Sequence, residues 1–598
     1  MNLSMLTEES KPVVAQLPTA ETRVPSGPPA GFTARLRAFF HSIATPRLAI
    51  GILMVATVWL GAQGMMADLP QSRVGAEQKH IQLAVKYGSG DLNPHSFDHP
   101  PLLSYILFVL YGAVFLAGRM IGWFHSALDF ERLYFTDPTL FYVTARVFIL
   151  ALSAATIPLF YAIAKQLCGV KPALMATVWM AASPVVVVWS HYATPTIPLL
   201  FMCLASLYWT VQVLHRSRFW DSALAGFCGG LAIATKYDAG LLIVPLTVAH
   251  LLVFHQHRRL MMQRLGLALA AVAVGFFIGC PFSLLDFQTF FAQWHTLLYE
   301  ELITSRSGRA FLPIFLVDKP GWLYILLDAW PTGWGLPLTI VGLSGTAYAL
   351  TQRRREDMVL ISLILAAYGF IGSWQSIAPR YFIAVVPFLL LLGALWLSKV
   401  VAASLRSPAM QTGALCALTG VLAVVPALNS LTFDRLVSQR SAHLLAKDWI
   451  EATIPSGAVI ATSAAMLLTP NARSINRRLE RISARHLGQG VQLQRLLQHL
   501  DRAPATYDLL DLPWPWRADY DPADYDFERQ MAHGMEYAVL TVEFQGPDKA
   551  PQQFEDQLRF FQQVKERCTI LKEFHGPLLL QEFRAYTQEE RVQMYRCR

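Results

Sequence analysis

MAASPVVVVWSHYATPTIPLLF, residues 180–201, is two apolar runs joined by a short polar turn, Ser190 to Pro195. Extended outward, the runs become the segments 172–190 and 195–214. Each reaches the roughly 20 residues that a helix needs to cross a bilayer core, at about 1.5 Å of rise per residue. The stretch therefore reads as two membrane spans meeting at a polar rim, and the rest of the chain repeats the pattern.

Of the 598 residues, 54% are hydrophobic and 15% charged, a balance rare in a single soluble domain. The apolar residues recur in blocks of about 17–23. Beside the two above, candidate spans are 48–66, 141–163, 219–234, 239–254, 264–281, 330–349, 356–374, 381–399 and 410–429, eleven in all. A further apolar stretch, Leu102–Gly118, needs arbitration by charge. The basic loops AKQLCGVK (164–171), HRSRFW (215–220), HQHRRLMMQR (255–264), QRRRED (352–357) and KVVAASLRS (399–407) all fall on one side if 102–118 does not cross, together with Arg35, Arg37 and Arg47 of the leader. By the excess of Lys and Arg in cytoplasmic loops that side is inside, and 102–118 reads as a helix perched at the interface or re-entrant.

This topology places the outer loops 67–140 and 282–329, the tail from about 430, and the turns SHYATP (190–195), TKYDAG (235–240) and SIAPRY (376–381) on the outer face. The formal charge of +8 is thus a topology signal and no nucleic-acid footprint. Residues 1–47 read as a disordered cytoplasmic leader with no cleavable signal peptide. The tail, 431–598, has the mixed periodicity of a small extracytoplasmic α/β domain. Strands are expected at 456–463, 505–512 and 536–544, helices at 441–454 and 552–568, and a Pro- and Asp-rich loop at 513–527. Of seven cysteines, five sit in or beside apolar segments as packing residues; Cys568 and Cys597, in the tail, are able to pair if it lies outside the cytoplasm. No Walker sequence, GxGxxG or HExxH occurs, and the scattered histidines form no metal set.

Chemistry gathers on the outer face. GAEQKHIQLAVKYGSGDLNPHSFDHPP (75–101) opens with a short amphipathic helix from Glu77 to Tyr87, its apolar stripe formed by Ile81, Ala84 and Val85. A carboxylate at a membrane rim suits proton abstraction from a nucleophile, and Glu77 and Asp91 are the candidates; Asp91 equally suits capping a turn. Lys236-Tyr237 and Arg380-Tyr381 stand at span boundaries. Each is placed to grip a lipid-linked phosphate through charge-assisted hydrogen bonds or to anchor its span at the interface. His191 and Tyr192 sit in the opening turn, and Asp286 stands where it caps an outer-loop helix.

Several landmarks in order carry a resemblance: the acidic start of the first outer loop with GSGDLNPHSFDHPPL (88–102), the span 141–163 running into YAIAKQLCG (161–169), MAASPVVVVWSHYATPTIPLLF, GLAIATKYDAGLLIVP (230–245), CPFSLLDF (280–287) and APRYFIAVVPF (378–388). Over residues 48–430 the chain resembles the C-type membrane glycosyltransferases, in the bacterial branch related to the protein O-mannosyltransferases and the lipid A aminoarabinose transferase. The resemblance implies a polytopic α-helical fold whose first outer loop packs as interfacial helices. It implies a hexosyl or pentosyl transferase of the bacterial inner membrane, with a polyprenyl-phosphate sugar as donor, no cofactor, and a glycan, lipid or protein acceptor. An aspartate opening the first outer loop serves as base in that family. Here Ala76-Glu77 stands where an Asp-Glu pair is usual, which makes Glu77 the nearest substitute and Asp91 the reserve. A second acidic position, after the Ser-His-Tyr turn, reads Thr194-Pro195-Thr196. Asp98, His99, His191, Lys236, Tyr237, Arg380 and Tyr381 are the expected substrate-binding positions. A non-catalytic subunit of a glycan assembly complex and a polyprenyl-lipid transporter are the alternatives.

Overall fold

The computed structural model describes residues 30–70, 72, 74–299, 319–374, 377–463, 468–481, 493–498, 500, 505–513, 520–542, 555–577 and 589–598. Seven helices among them are long and apolar enough to cross a membrane, or eight if the bent pair Val170–Ala182 and Pro184–Ser190 counts as one span. The pair bends by 53° where Pro184, at the first helical position, withholds the N–H that would continue the ladder. Six of the seven coincide with expected spans; the seventh is Leu102–Met120, so length and hydropathy do not set this helix apart from the others. The expected total of eleven is reached only by adding the bent pair and four shorter helices, Pro46–Ala62, Phe219–Ile233, Leu336–Gln352 and Arg355–Ile371. The first of these belongs to a helix that begins at Ala30, so residues 30–47 are helical where a disordered leader was expected; residues 1–29 lie outside the described residues.

Small residues allow the closest helix contacts. A Cβ added at Gly230 would stand 2.1 Å from the Val272 carbonyl oxygen, and one at Gly226 2.0 Å from that of Ala268. Both glycines of Phe219–Ile233 thus let its backbone rest on Arg258–Gly279, as packing between membrane helices requires. One apolar core runs through the helical body from Ile81 and Leu107 to Phe388 and Phe433.

The last membrane helix, Pro408–Val437, passes through a short turn into Ala442–Thr453 and the tail domain. Five strands, β1 (Val459–Ser463), β2 (Asp508–Leu512), β3 (Tyr537–Val542), β4 (Thr569–Pro577) and β5 (Glu589–Arg596), form one sheet in the order β2-β1-β3-β5-β4. β2, β1 and β3 are parallel; β5 is antiparallel to both β3 and β4. Successive residues serve opposite faces: Ile460, Leu509 and Val539 pack under Ala442–Thr453, while Ala461, Leu510 and Leu540 pack with Phe560 of Glu555–Arg567. The expected strands in β1, β2 and β3 and both expected helices are present. β4 and β5 were not anticipated, and the described part of the 513–527 loop contains a 3-10 turn, Pro522–Tyr525. Cys568 and Cys597 form a disulfide that joins the start of β4 to the residue following β5.

Candidate functional site

The segment 67–140, expected as the first outer loop, is fixed by a charge buried inside the helical body. Glu77 lies in the first turn of Gly75–Lys86 and is fully buried with His80, Ile81 and Ala84. Its two oxygens accept from Arg146 Nε at 2.9 Å and Nη2 at 2.8 Å. The backbone N–H of Ala193 donates a third bond, 2.8 Å long. Arg146 comes from Thr139–Cys168, and its remaining nitrogen donates to the Met65 and Ala67 carbonyls at 2.8 and 2.9 Å. Arg146 also lies over the Tyr192 ring, 5.6 Å from its centre. A fork-to-fork pair with every neighbour satisfied is what a buried ion pair needs to persist. Glu77 was the expected general base; here both its oxygens are committed to a guanidinium, one of them also to a backbone N–H, and the side chain is buried.

The turn 189–193 is a junction. Ala193 holds Glu77 and Tyr192 faces Arg146. Trp189 lies beneath the Arg380 guanidinium at 5.1 Å. His191 Nδ1 donates to the Val187 carbonyl at 2.8 Å, and its Nε2 stands 3.4 Å from Asp434 Oδ1, both side chains buried. His191 is therefore an internal contact to the last membrane helix.

The outer-loop carboxylates are organised differently. Asp91 takes the N–H of Asn93 at 2.9 Å and His95 Nε2 at 2.8 Å, with Lys86 at 3.7 Å. Desolvation favours its neutral form, but the hydrogen bonds from His95 and Asn93 and the nearby Lys86 charge outweigh it and hold its pKa below the usual carboxylate value. Asp98 meets Lys79, the Ser96 hydroxyl at 2.5 Å and His99 Nδ1 at 3.4 Å. Desolvation again opposes the charge, and the His99 and Lys79 contacts again prevail. Asp286, just ahead of Phe287–Tyr299, accepts from Asn93 Nδ2 at 2.8 Å and from Thr289 in the first turn of that helix, the capping role expected of it. Arg306 and Arg309 lie outside the described residues.

The cation positions do converge. Lys236 Nζ lies 4.7 Å from the centre of the Tyr381 ring, and the Arg380 guanidinium 5.3 Å from the same centre. Tyr237 donates its hydroxyl to the Phe97 carbonyl at 2.8 Å, tying this turn to the Asp98-His99 loop. Lys236 also pairs with Asp238 at 2.6 Å. Asp238 and Tyr381 line an apolar crevice with Leu199, Leu242, Leu363 and Val385, between Thr196–His215, the 3-10 turn Tyr237–Leu242 and Arg355–Ile371. Lys236, Tyr237, Arg380 and Tyr381 thus form one cluster with the Asp98 loop, while Glu77, Asp91 and His191 take up other work. Arg146, Trp189, Asp238 and Asp434 were missed. Arg146 had a legible signal, a lone cation inside an apolar span; Asp238 stands two residues from a residue already singled out. Among the described residues, no group of three or more His, Cys, Asp or Glu side chains is arranged to hold a metal ion.

A family model described as dolichyl-phosphate-mannose-protein mannosyltransferase matches residues 142–284, a span containing Arg146, Trp189, Lys236 and Asp238. No curated protein matches the chain. Among solved structures, the oligosaccharyltransferase AglB from Archaeoglobus fulgidus, in complex with an inhibitory peptide and a dolichol-phosphate, is similar at 12% identity over 84% of this chain and 70% of its own, with a TM-score of 0.49. ArnT from Cupriavidus metallidurans bound to undecaprenyl phosphate is similar at 14% identity over 91% of this chain and 97% of its own, with a TM-score of 0.46. The S. cerevisiae protein O-mannosyltransferase complex bound to the sugar donor is similar at 21% identity over 41% of this chain and 34% of that one, with a TM-score of 0.32. These are distant likenesses.

Proposed function

We propose that this protein transfers a glycosyl residue from a polyprenyl-phosphate-linked sugar to an extracytoplasmic acceptor, a glycan, a lipid or a protein. The setting is the bacterial inner membrane, with the amino-terminal side cytoplasmic and the tail domain outside. The observation that carries this reading is the pairing of Lys236 and Arg380 around one aromatic ring that also lines an apolar crevice. Two cations suit a phosphate, which accepts charge-assisted hydrogen bonds from both. The family match over residues 142–284 supports the same reading. In the reaction, the acceptor oxygen or nitrogen attacks the anomeric carbon, and the bond to the phosphate oxygen breaks. The two cations stabilise the charge that grows on the departing polyprenyl phosphate. Glu77 serves as a positioning residue that fixes the first outer loop.

The test is transfer in lipid nanodiscs. The intact chain is incubated with radiolabelled polyprenyl-phosphate sugars and cell-envelope extract, and label leaving the polyprenyl lipid is followed. Arg380→Ala is expected to lower donor affinity at least tenfold, about 1.4 kcal/mol. Failure of the wild type to transfer from any donor, with polyprenyl phosphate still bound, would instead favour the non-catalytic subunit.

A further inference from the structure

The carboxylates of the outer face differ in what occupies their oxygens. Glu77 gives both to Arg146 and Ala193. Asp91 gives one to Asn93 and the other to His95. Asp98 gives one to Ser96 and the other to Lys79. Asp238 is unlike them: Oδ2 takes Lys236, while Oδ1 is buried and accepts no hydrogen bond from the described residues. A buried carboxylate oxygen without a donor is costly and marks a place where a group with a proton to give would be stabilised. Asp238 also lines the crevice, as does Tyr381, the ring that both cations face.

We propose that Asp238 is the general base of the transfer, a catalytic residue whose free oxygen receives the proton of the acceptor. This rests on the glycosyl-transfer reading of the same site. When the donor arrives, its phosphodiester competes with Asp238 for Lys236. Lys236 and Arg380 then face the phosphodiester together. The acceptor O–H or N–H donates to Asp238 Oδ1 as its heavy atom attacks the anomeric carbon. The bond between that carbon and the phosphate oxygen breaks, its electron pair leaves on the polyprenyl phosphate, and the proton stays on the carboxyl group until it is lost to water. No oxidant, metal or further reactant enters. In the empty site the ion pair to Lys236 holds Oδ2, which leaves Oδ1 for the acceptor.

Asp238→Asn separates the base from the binding site, because the amide preserves size while losing the ability to take a proton. In nanodiscs the variant is expected to bind polyprenyl phosphate as tightly as wild type or more tightly, since Lys236 loses a competing anion. Its kcat is expected to fall about 100-fold or more, the lower bound for a lost general base. Asp238→Glu is expected to recover part of the rate, and thermal unfolding of both variants should match wild type. An active wild type with Asp238→Asn retaining more than a tenth of kcat overturns the assignment. So does loss of donor binding in step with activity, which would make Asp238 an organiser of the turn. A wild type that binds polyprenyl phosphate and transfers nothing sinks the transfer reading first and the base with it.

Discussion

Glu77 and Arg146, 69 residues apart, form a two-pronged ion pair with side-chain exposures of 0% and 1%. It joins the helix Gly75–Lys86 to the apolar helix Thr139–Cys168 where neither charge is exposed. Removing one partner strands the other, and breaking such a pair costs about 3–5 kcal/mol. Glu77→Gln is therefore expected to lower the thermal midpoint in detergent as well as activity. The double variant Glu77→Leu with Arg146→Met should be more stable than either single variant. Midpoints that are unchanged in Glu77→Gln would show the pair to be dispensable.

Arg380 is flanked by Trp189 and Tyr381. A planar guanidinium stacks on such rings where an ammonium does not. Arg380→Lys is therefore expected to keep the charge yet still lose several-fold in affinity for polyprenyl phosphate, while Lys236→Arg loses less. Equilibrium binding of undecaprenyl phosphate to each variant measures the difference; equal losses would remove the case for stacking.

His80 is buried against Ser104, 2.9 Å from its hydroxyl. Burial, with the neighbouring His99 and Lys79 charges, pushes its pKa down to about 3. Between the usual value of 6.5 and about 3, the unfolded chain takes a proton that the folded one refuses. Stability is therefore expected to fall as the pH drops through that window. His80→Asn should flatten the dependence. Unfolding midpoints collected from pH 7 to pH 4 check the slope, and identical slopes in the two proteins would count against it.

His191 offers a proton to the Val187 carbonyl through Nδ1, because a carbonyl only accepts. Nε2 and the Asp434 carboxylate then face each other at 3.4 Å, and neither Asp434 oxygen has a hydrogen-bond partner among the described residues. Asp434→Asn, whose amide donates to Nε2, is expected to be tolerated within about 1 kcal/mol, whereas Asp434→Ala loses more. Thermal midpoints that rank the two variants the other way would show that the contact to His191 does not hold the last membrane helix.

How far the residues announced this arrangement depends on the kind of signal each one gave. Spans such as 141–163 and 381–399 were legible because hydropathy and length act along the chain. The cations at 236 and 380 were legible because each stands alone at a span boundary. Glu77 was seen but misread: its polarity suggested an aqueous loop, and only the distant Arg146 explains its burial. Asp238 was passed over because its distinction is an oxygen left without a partner, which no local pattern reveals. β4 and β5 escaped because their apolar alternation is too brief to stand out: EERVQMYR offers only Val592 and Met594 to one face, and TILKEFHGP buries only Phe574. β4 is mostly exposed along its first four residues, and β5 gains its stability from having neighbours on both sides.

The position of β5 constrains the order in which the tail domain is made. Among the described strands, the one latest in sequence sits inside the sheet, paired to β3 on one side and β4 on the other. Until residues 589–596 are available, β3 presents an open edge and β4 has nothing to pair with. A chain stopped at residue 588 would carry its helical body with an unfinished and aggregation-prone sheet, so completion of this domain waits on β5.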